Sequence, residues 1–389
     1  MSSEDLEKEY FTKQILTYMG NKRKFISKID DIISMVKSEI GENNINIGEG
    51  FSGTGIVSRL LKNRVMGDYS QSLKKLYVND IAGYSDTLNK CYLTSSNDVS
   101  EFDEVVISTY ITEINNFMDD PQDEESKINY FISRNWAPSD DDDIKEGERV
   151  YFTKENANRI DRAMHFLNTK VSPEYKQFLL APLLIECSIH NNTDGKFASF
   201  YKENNIGKYG GKNSVDLKRI TQQIVIKKPI LTEPKADVIL SKKDANDWVR
   251  QIPELDLVYY DPPYNKHPYC IYYFLLDIIN KWDTLIDVPK TLRGQPKNWI
   301  QSPYCSFSKA KKSFEDLIDN TKSKFILISY NNGGIIPLTE LEEILKKRGK
   351  VYKIPVEHNT YNKLKGIANY KRKKKKEKIS EYLWLLDTR

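Results

Sequence analysis

LDLVYYDPPY (255–264) constrains the fold more than any other stretch of the chain. A mostly apolar run closed by two prolines cannot continue as a helix. Proline lacks the backbone donor, and it pushes the residue before it out of the helical region. The run therefore reads as a buried strand that stops abruptly, delivering Asp261, Pro262, Pro263 and Tyr264 to its C-terminal end. In open α/β sheets, ligands bind at that end of the strands.

The same grammar recurs upstream. INIGEGFSGTGIVSRLLK places a short strand (Ile45, Ile47) before a glycine-rich turn and a helix carrying Ile56, Val57, Leu60 and Leu61. LYVNDIAGYSDTLNKCYL repeats strand then helix, with Asp80 at the junction. An amphipathic helix precedes both, since Phe25, Ile29, Ile32, Ile33 and Val36 recur at helical spacing. Strand signals return at 236–241, 255–260 and 324–332, followed by a helix over 338–348 and two closing strands, GKVYKIPVEH and EYLWLLDT. Between about 97 and 230 the rhythm lapses into helices (155–169, 174–190) and a loop (191–213). The expected fold class is α/β, a doubly wound sheet with an inserted, mainly helical region. Its units are 1–96, 97–230 and 231–389.

Stiffened by two prolines, the Asp261 carboxylate and a proline carbonyl can converge on one amine. The exocyclic nitrogen of adenine is a poor nucleophile, because its lone pair is delocalised into the ring. Two acceptors on that amine favour a pyramidal nitrogen and free the lone pair for in-line attack on a sulfonium methyl. Tyr264 offers a flat face for an extruded base. The bland alternative is a rigid strand exit with an exposed tyrosine. FSGTG (51–55) lets a ligand approach the backbone where strand meets helix. It is not GxGxxG and lacks the Lys-Ser/Thr of a phosphate loop, which favours S-adenosylmethionine over a dinucleotide or nucleoside triphosphate. Taken alone, it is explained as well by a tight turn. Asp80 stands where ribose hydroxyls are held, although a lone acid there is otherwise a helix cap.

Charge is segregated. Residues 97–148 hold 16 acidic and 3 basic side chains, so the remainder carries +17 against a whole-chain +4. Such a basic body suits a nucleic-acid binder whose acidic part faces away from phosphate. The acidic stretch, Asp140 to Asp143 included, is expected to be partly mobile. Candidate DNA contacts are Lys196, Lys202, Lys208, Tyr209 and Lys212 in the loop 191–213, and Arg293 and Lys297 in RGQPKNW. The lysine run 370–378 could add phosphate attraction, or simply be solvated. Tyr269, Tyr272 and Tyr273 read as core or ledge aromatics. The four cysteines show no metal-ligand spacing, and neither His267 nor His358 has a partner ligand nearby in sequence. No metal, signal peptide or membrane span is expected.

In order, YMGNK, FSGTG, Asp80, Asp244 of SKKDAND and DPPY resemble the Dam-like DNA adenine methyltransferases of the alpha order. The later part is more similar to Type II modification methyltransferases than to Dam itself. The resemblance covers 15–95 and 235–389 and is weakest across 97–190. It implies a Rossmann-like methyltransferase sheet: a cofactor-binding half (1–96), a target-recognition region (97–230) and a catalytic half (231–389). It implies S-adenosylmethionine as cofactor, with Tyr18, Gly20 and Lys22 bordering its methionine end. Phe51, Gly53 and Gly55 would form the turn beneath it, Asp80 would bind its ribose, and Asp244 would lie near its adenine. Asp261 to Tyr264 would act on adenine N6 of a flipped base in double-stranded DNA. A cognate restriction endonuclease or defence complex is an implied partner. The setting would be bacterial or phage-encoded, cytoplasmic and nucleoid-associated. N4-cytosine methylation, RNA methylation and a non-catalytic DNA-binding subunit are the competing readings. A nicotinamide-dependent dehydrogenase lacks its glycine fingerprint.

Overall fold

Apolar side chains alternate in the strands but are buried on both faces, as a sheet covered on two sides requires. Leu257, Tyr259, Phe325, Leu327, Leu383 and Leu385 enter one core. Their neighbours Val258, Tyr260, Ile326, Ile328, Trp384 and Leu386 enter the other. The first core is closed by the helices Ile26–Ile40 and Ile56–Val65, through Ile29, Ile33, Val36, Val57 and Leu61. Ala310–Asn320 and Leu338–Lys346 close the second, through Phe314, Leu317, Leu341 and Leu345.

The computed structural model describes residues 10, 15–65, 74–233, 236–297, 299–356 and 380–389. Numbered along the chain, the sheet strands are β1 (Ile47–Glu49), β2 (Lys75–Asn79), β3 (Asp237–Ser241), β4 (Leu255–Tyr260), β5 (Ser323–Asn331), β6 (Lys350–Val356) and β7 (Glu381–Asp387). Their spatial order is β3-β2-β1-β4-β5-β7-β6. The first five run parallel, and β7 lies antiparallel between β5 and β6. The strand order reverses between β1 and β4, opening a crevice there at the carboxyl ends.

Residues 97–230 are chiefly helical. Lys154–Thr169 and Lys176–Ile189 lie close to the expected spans. Among the elements that carried no clear sequence signal, two stand out. Glu101–Asp119 is a 19-residue helix, started by a capping box between Ser100 and Asp103. Only Ile107, Ile114 and Met118 of it are buried, so its apolar stripe is thin among the acids. The second is a small antiparallel ribbon pairing Lys202–Glu203 with Ile206–Gly207. The acidic loop is tethered at Asp141. Asp141 accepts from the Lys154 backbone N–H (2.9 Å) and from the Tyr209 hydroxyl (2.5 Å). These helices share one core with Tyr84, Leu88 and Cys91 after β2 and with Phe274, Leu275 and Ile279 after β4. Among the described residues no helix is long and apolar enough to cross a membrane.

Candidate active site

Strand ends converge on a cavity of about 600 Å³ at the β1–β4 reversal. That size falls in the range of small-molecule sites. Tyr18, Gly20 and Lys22 line it from the N-terminal segment, and Phe51 and Gly53 from the turn after β1. Asp80, Asp244, Asp261 and Pro263 enter from the ends of β2, β3 and β4. Gly55, Pro262 and Tyr264 are not among the lining residues.

The glycine-rich turn is shaped by close approach. Gly53 and Gly55 have φ of +53° and +73°, a region that side chains disfavour. A Cβ on Gly53 would lie 3.0 Å from the Tyr18 ring, and one on Gly55 would lie 2.4 Å from Asn89 Oδ1. Asp80 organises the turn from the end of the neighbouring strand β2. Its Oδ2 accepts from the Gly53 N–H (2.7 Å) and its Oδ1 from the Ala82 N–H (2.9 Å). Asp80 is thus both a backbone brace and a cavity wall. Asp244 accepts from the Asn246 N–H (2.9 Å) and caps the short helix Ala245–Val249. Phe51 packs edge-on against Tyr304, with ring centroids 5.2 Å apart.

The N-terminal segment is pinned by tyrosines that follow the proline pair. The Met19 N–H donates to the Tyr273 hydroxyl (2.8 Å), and the Tyr269 hydroxyl donates to the Met19 carbonyl (3.0 Å). Tyr18 stacks on Tyr273 with centroids 4.7 Å apart. Tyr273 is therefore core, as expected. Tyr269 also lines the cavity.

Lys22 is the pivot of the polar floor. Its ammonium lies 3.1 Å from Asp261 Oδ1, 3.9 Å from Glu381 Oε2 and 5.3 Å from the centre of the Tyr264 ring. Burial opposes its charge, but Asp261 and then Glu381 outweigh that and hold its pKa above the ordinary lysine value. Burial pushes Asp261 up to about 6, opposed by Lys22 and reinforced by Glu381. The Lys22–Asp261 contact is a charge pair at hydrogen-bonding distance. Nζ and Oδ1 are both buried, and both residues line the cavity. Such atoms in a cavity wall are suited to a polar ligand.

Glu49, Tyr269 and Glu381 are among the residues at the site that lie outside the motifs read from the sequence. Glu49 closes β1, and burial pushes it up to about 8 although the Ser58 hydroxyl donates to it. Its signal was its place two residues before Phe51, at a strand end. Tyr269 and Glu381 gave no comparable signal.

The expected DNA-contacting residues lie outside the cavity lining. Arg293 donates to the Ala198 carbonyl (3.2 Å), which joins the loops 191–213 and 293–299. Phe197 N–H donates to the Tyr272 carbonyl (2.8 Å), and the Lys196 ammonium lies 5.7 Å from the Tyr272 ring centre. Both loops thus abut the segment after the proline pair. Lys202, Lys208, Lys212 and Lys297 are exposed. Tyr209 is turned inward to Asp141, and Asn192 is buried, donating to the Val150 and Lys208 carbonyls. The run 370–378 and His358 lie outside the described residues. No group of three or more His, Cys, Asp or Glu side chains arranged to hold a metal occurs among the described residues.

The sequence model of the D12 class N6 adenine-specific DNA methyltransferases matches residues 18–344. Type II methyltransferase M.NlaIII of Neisseria lactamica is 27% identical over 378 residues, covering 96% of this chain and 99% of that protein. Modification methylase LlaI of Lactococcus lactis subsp. lactis is 29% identical over 354 residues, 89% of this chain and 51% of that protein. Type II methyltransferase M.FokI of Planomicrobium okeanokoites is 26% identical over 382 residues, 95% of this chain and 52% of that protein. The chain thus spans nearly all of the first relative and about half the length of the other two.

Proposed function

Because the chain belongs to the D12 class of N6 adenine-specific DNA methyltransferases, we propose that the cavity at the β1–β4 reversal seats S-adenosylmethionine beside an adenine turned out of duplex DNA. One observation carries this reading: the buried Asp261 carboxylate opens on the same cavity as the glycine-rich turn and Asp80. When bound, S-adenosylmethionine supplies an electrophilic sulfonium methyl. The cavity suits it in three respects: its size, the approach to the backbone that Gly53 permits, and the buried Asp261 Oδ1 at its wall. Asp80 would hold the ribose, Asp244 would lie near the adenine end, and Tyr18, Gly20 and Lys22 would border the methionine end.

Asp261 and a carbonyl of the proline pair accept the two hydrogens of the target amine. They localise its lone pair and line it up for attack. Tyr264 stacks on the base, and the amine sheds its proton to solvent after transfer. The exposed lysines of the loops 191–213 and 293–299, with Lys196 and Arg293, take the phosphate backbone. The names of the relatives favour a modification enzyme, with a cognate endonuclease as partner.

Methylation-sensitive sequencing of DNA from cells expressing the chain tests this reading. One recurrent methylated adenine motif supports it, and unmodified adenine throughout contradicts it. Ionised Asp261 is the stronger acceptor, and protonation turns one of its oxygens into a donor, so kcat/KM for the cofactor, which reports the free enzyme, should fall as pH drops through about 6. Initial rates against pH measure this; a flat profile down to about pH 4 would contradict it. Tyr264→Ala should weaken base capture by about tenfold or more, read as lost fluorescence of 2-aminopurine at the target position.

A further inference from the structure

We propose that Glu381, the first residue of β7, is a positioning residue for the reaction: it shares the Lys22 ammonium with Asp261 and so keeps the catalytic carboxylate open to the base. This rests on the reading of Asp261 given above. Because β7 is antiparallel, its start lies where the parallel strands end. Glu381 is in register with Asn331, the last residue of β5, and with Val356 of β6. Its side chain is only 13% exposed, and Lys22 is 3% exposed. One buried cation therefore faces two carboxylates, at 3.1 Å and 3.9 Å. The Tyr264 hydroxyl stands 3.5 Å from Glu381 Oε1, so the same glutamate touches the residue that would stack on the base.

Division of the ammonium has a chemical consequence. A lysine drawn wholly onto Asp261 would align with it and occupy the lone pairs that the target amine needs. A lysine shared with Glu381 offsets one of the two negative charges without saturating Asp261, whose Oδ1 it approaches to 3.1 Å while Glu381 Oε2 lies 3.9 Å away. The charged or titratable groups acting on Asp261, or acted on by it, are Lys22, Glu381, Glu49, Tyr259, Tyr264 and Tyr269. Of the groups acting on Asp261, Lys22 favours its charged form and Glu381 disfavours it.

The test uses the full chain carrying Glu381→Gln, an uncharged side chain of similar shape. Single-turnover methyl transfer on the pH plateau should fall about tenfold, because Lys22 closes on Asp261. At the same time the acidic limb should move down by about one pH unit, because a negative neighbour is gone. Lys22→Met should move the same limb up, the opposite sign. The Asp261 carboxyl midpoint, followed by carbon-13 NMR of aspartate-labelled protein, should shift in the same two directions without any turnover. Glu381→Asp should recover part of the rate. A Glu381→Gln protein with wild-type rate, limb and NMR midpoint would overturn the proposal. So would a rate loss with the limb and the midpoint unmoved, since that is what damaged packing alone produces. If the Gln variant does not fold, a Lys22→Met protein whose midpoint fails to rise overturns it. The wild type run alongside separates the two claims, because absence of transfer there counts against the reaction rather than against Glu381.

Discussion

Asp261→Ala is expected to lower single-turnover methyl transfer by about a thousandfold or more while S-adenosylmethionine affinity changes by less than about threefold. In the proposed reaction the carboxylate acts on the amine of the base, so its loss removes an interaction that strengthens as the nitrogen becomes pyramidal. The proposed cofactor contacts come from other strand ends that line the cavity: Phe51 and Gly53 after β1, Asp80 after β2 and Asp244 after β3. The fold should tolerate the change because Lys22 retains Glu381 at 3.9 Å as a counter-ion. Rapid-quench transfer of a labelled methyl, with calorimetry of cofactor binding, separates the two quantities. Residual transfer within about tenfold of wild type would remove Asp261 from the chemistry.

Asp80→Ala should have the reverse signature, with cofactor affinity falling by about a hundredfold. The Asp80 carboxylate accepts from Gly53 and Ala82, and in the proposed complex it also meets the ribose. Its removal leaves a backbone N–H of the glycine-rich turn without its acceptor, at a cost of about 1–3 kcal/mol, before any ribose contact is counted. Asp80→Asn keeps an acceptor oxygen and should lose much less. Titration with S-adenosylhomocysteine measures both variants, and thermal melting reports the shared structural part. Equal affinities for Ala and wild type would show that Asp80 only braces the turn.

The parts of the site legible in the sequence are those where local chemistry dictates local shape. LDLVYYDPPY had to be a strand with an abrupt end, and FSGTG had to be a turn that permits close approach. Asp80 was open to two readings, cap or ligand wall, and the geometry places backbone donors on a carboxylate that still lines the cavity. Glu381 was not legible, because its place depends on an antiparallel return strand that brings it beside residues hundreds of positions earlier. Tyr269 and Tyr273 read as ledge or core aromatics, but their hydroxyl contacts to Met19 depend on tertiary packing. The helix Glu101–Asp119 was obscured for a different reason, since three buried apolar residues in 19 give a weak periodic signal. Asp141 looked like part of a solvated acidic run, and only its contacts with Lys154 and Tyr209 mark it as an anchor.

The most direct test of the central claim is the identity of the labelled nucleoside. Wild-type protein, S-adenosylmethionine with an isotopic methyl, and duplex DNA of diverse sequence are incubated, digested to nucleosides and resolved by mass spectrometry. The account predicts label in N6-methyldeoxyadenosine, and none when Asp261→Ala replaces the wild type. Label in N4-methyldeoxycytidine, or undiminished N6 label from the Asp261→Ala protein, would contradict it.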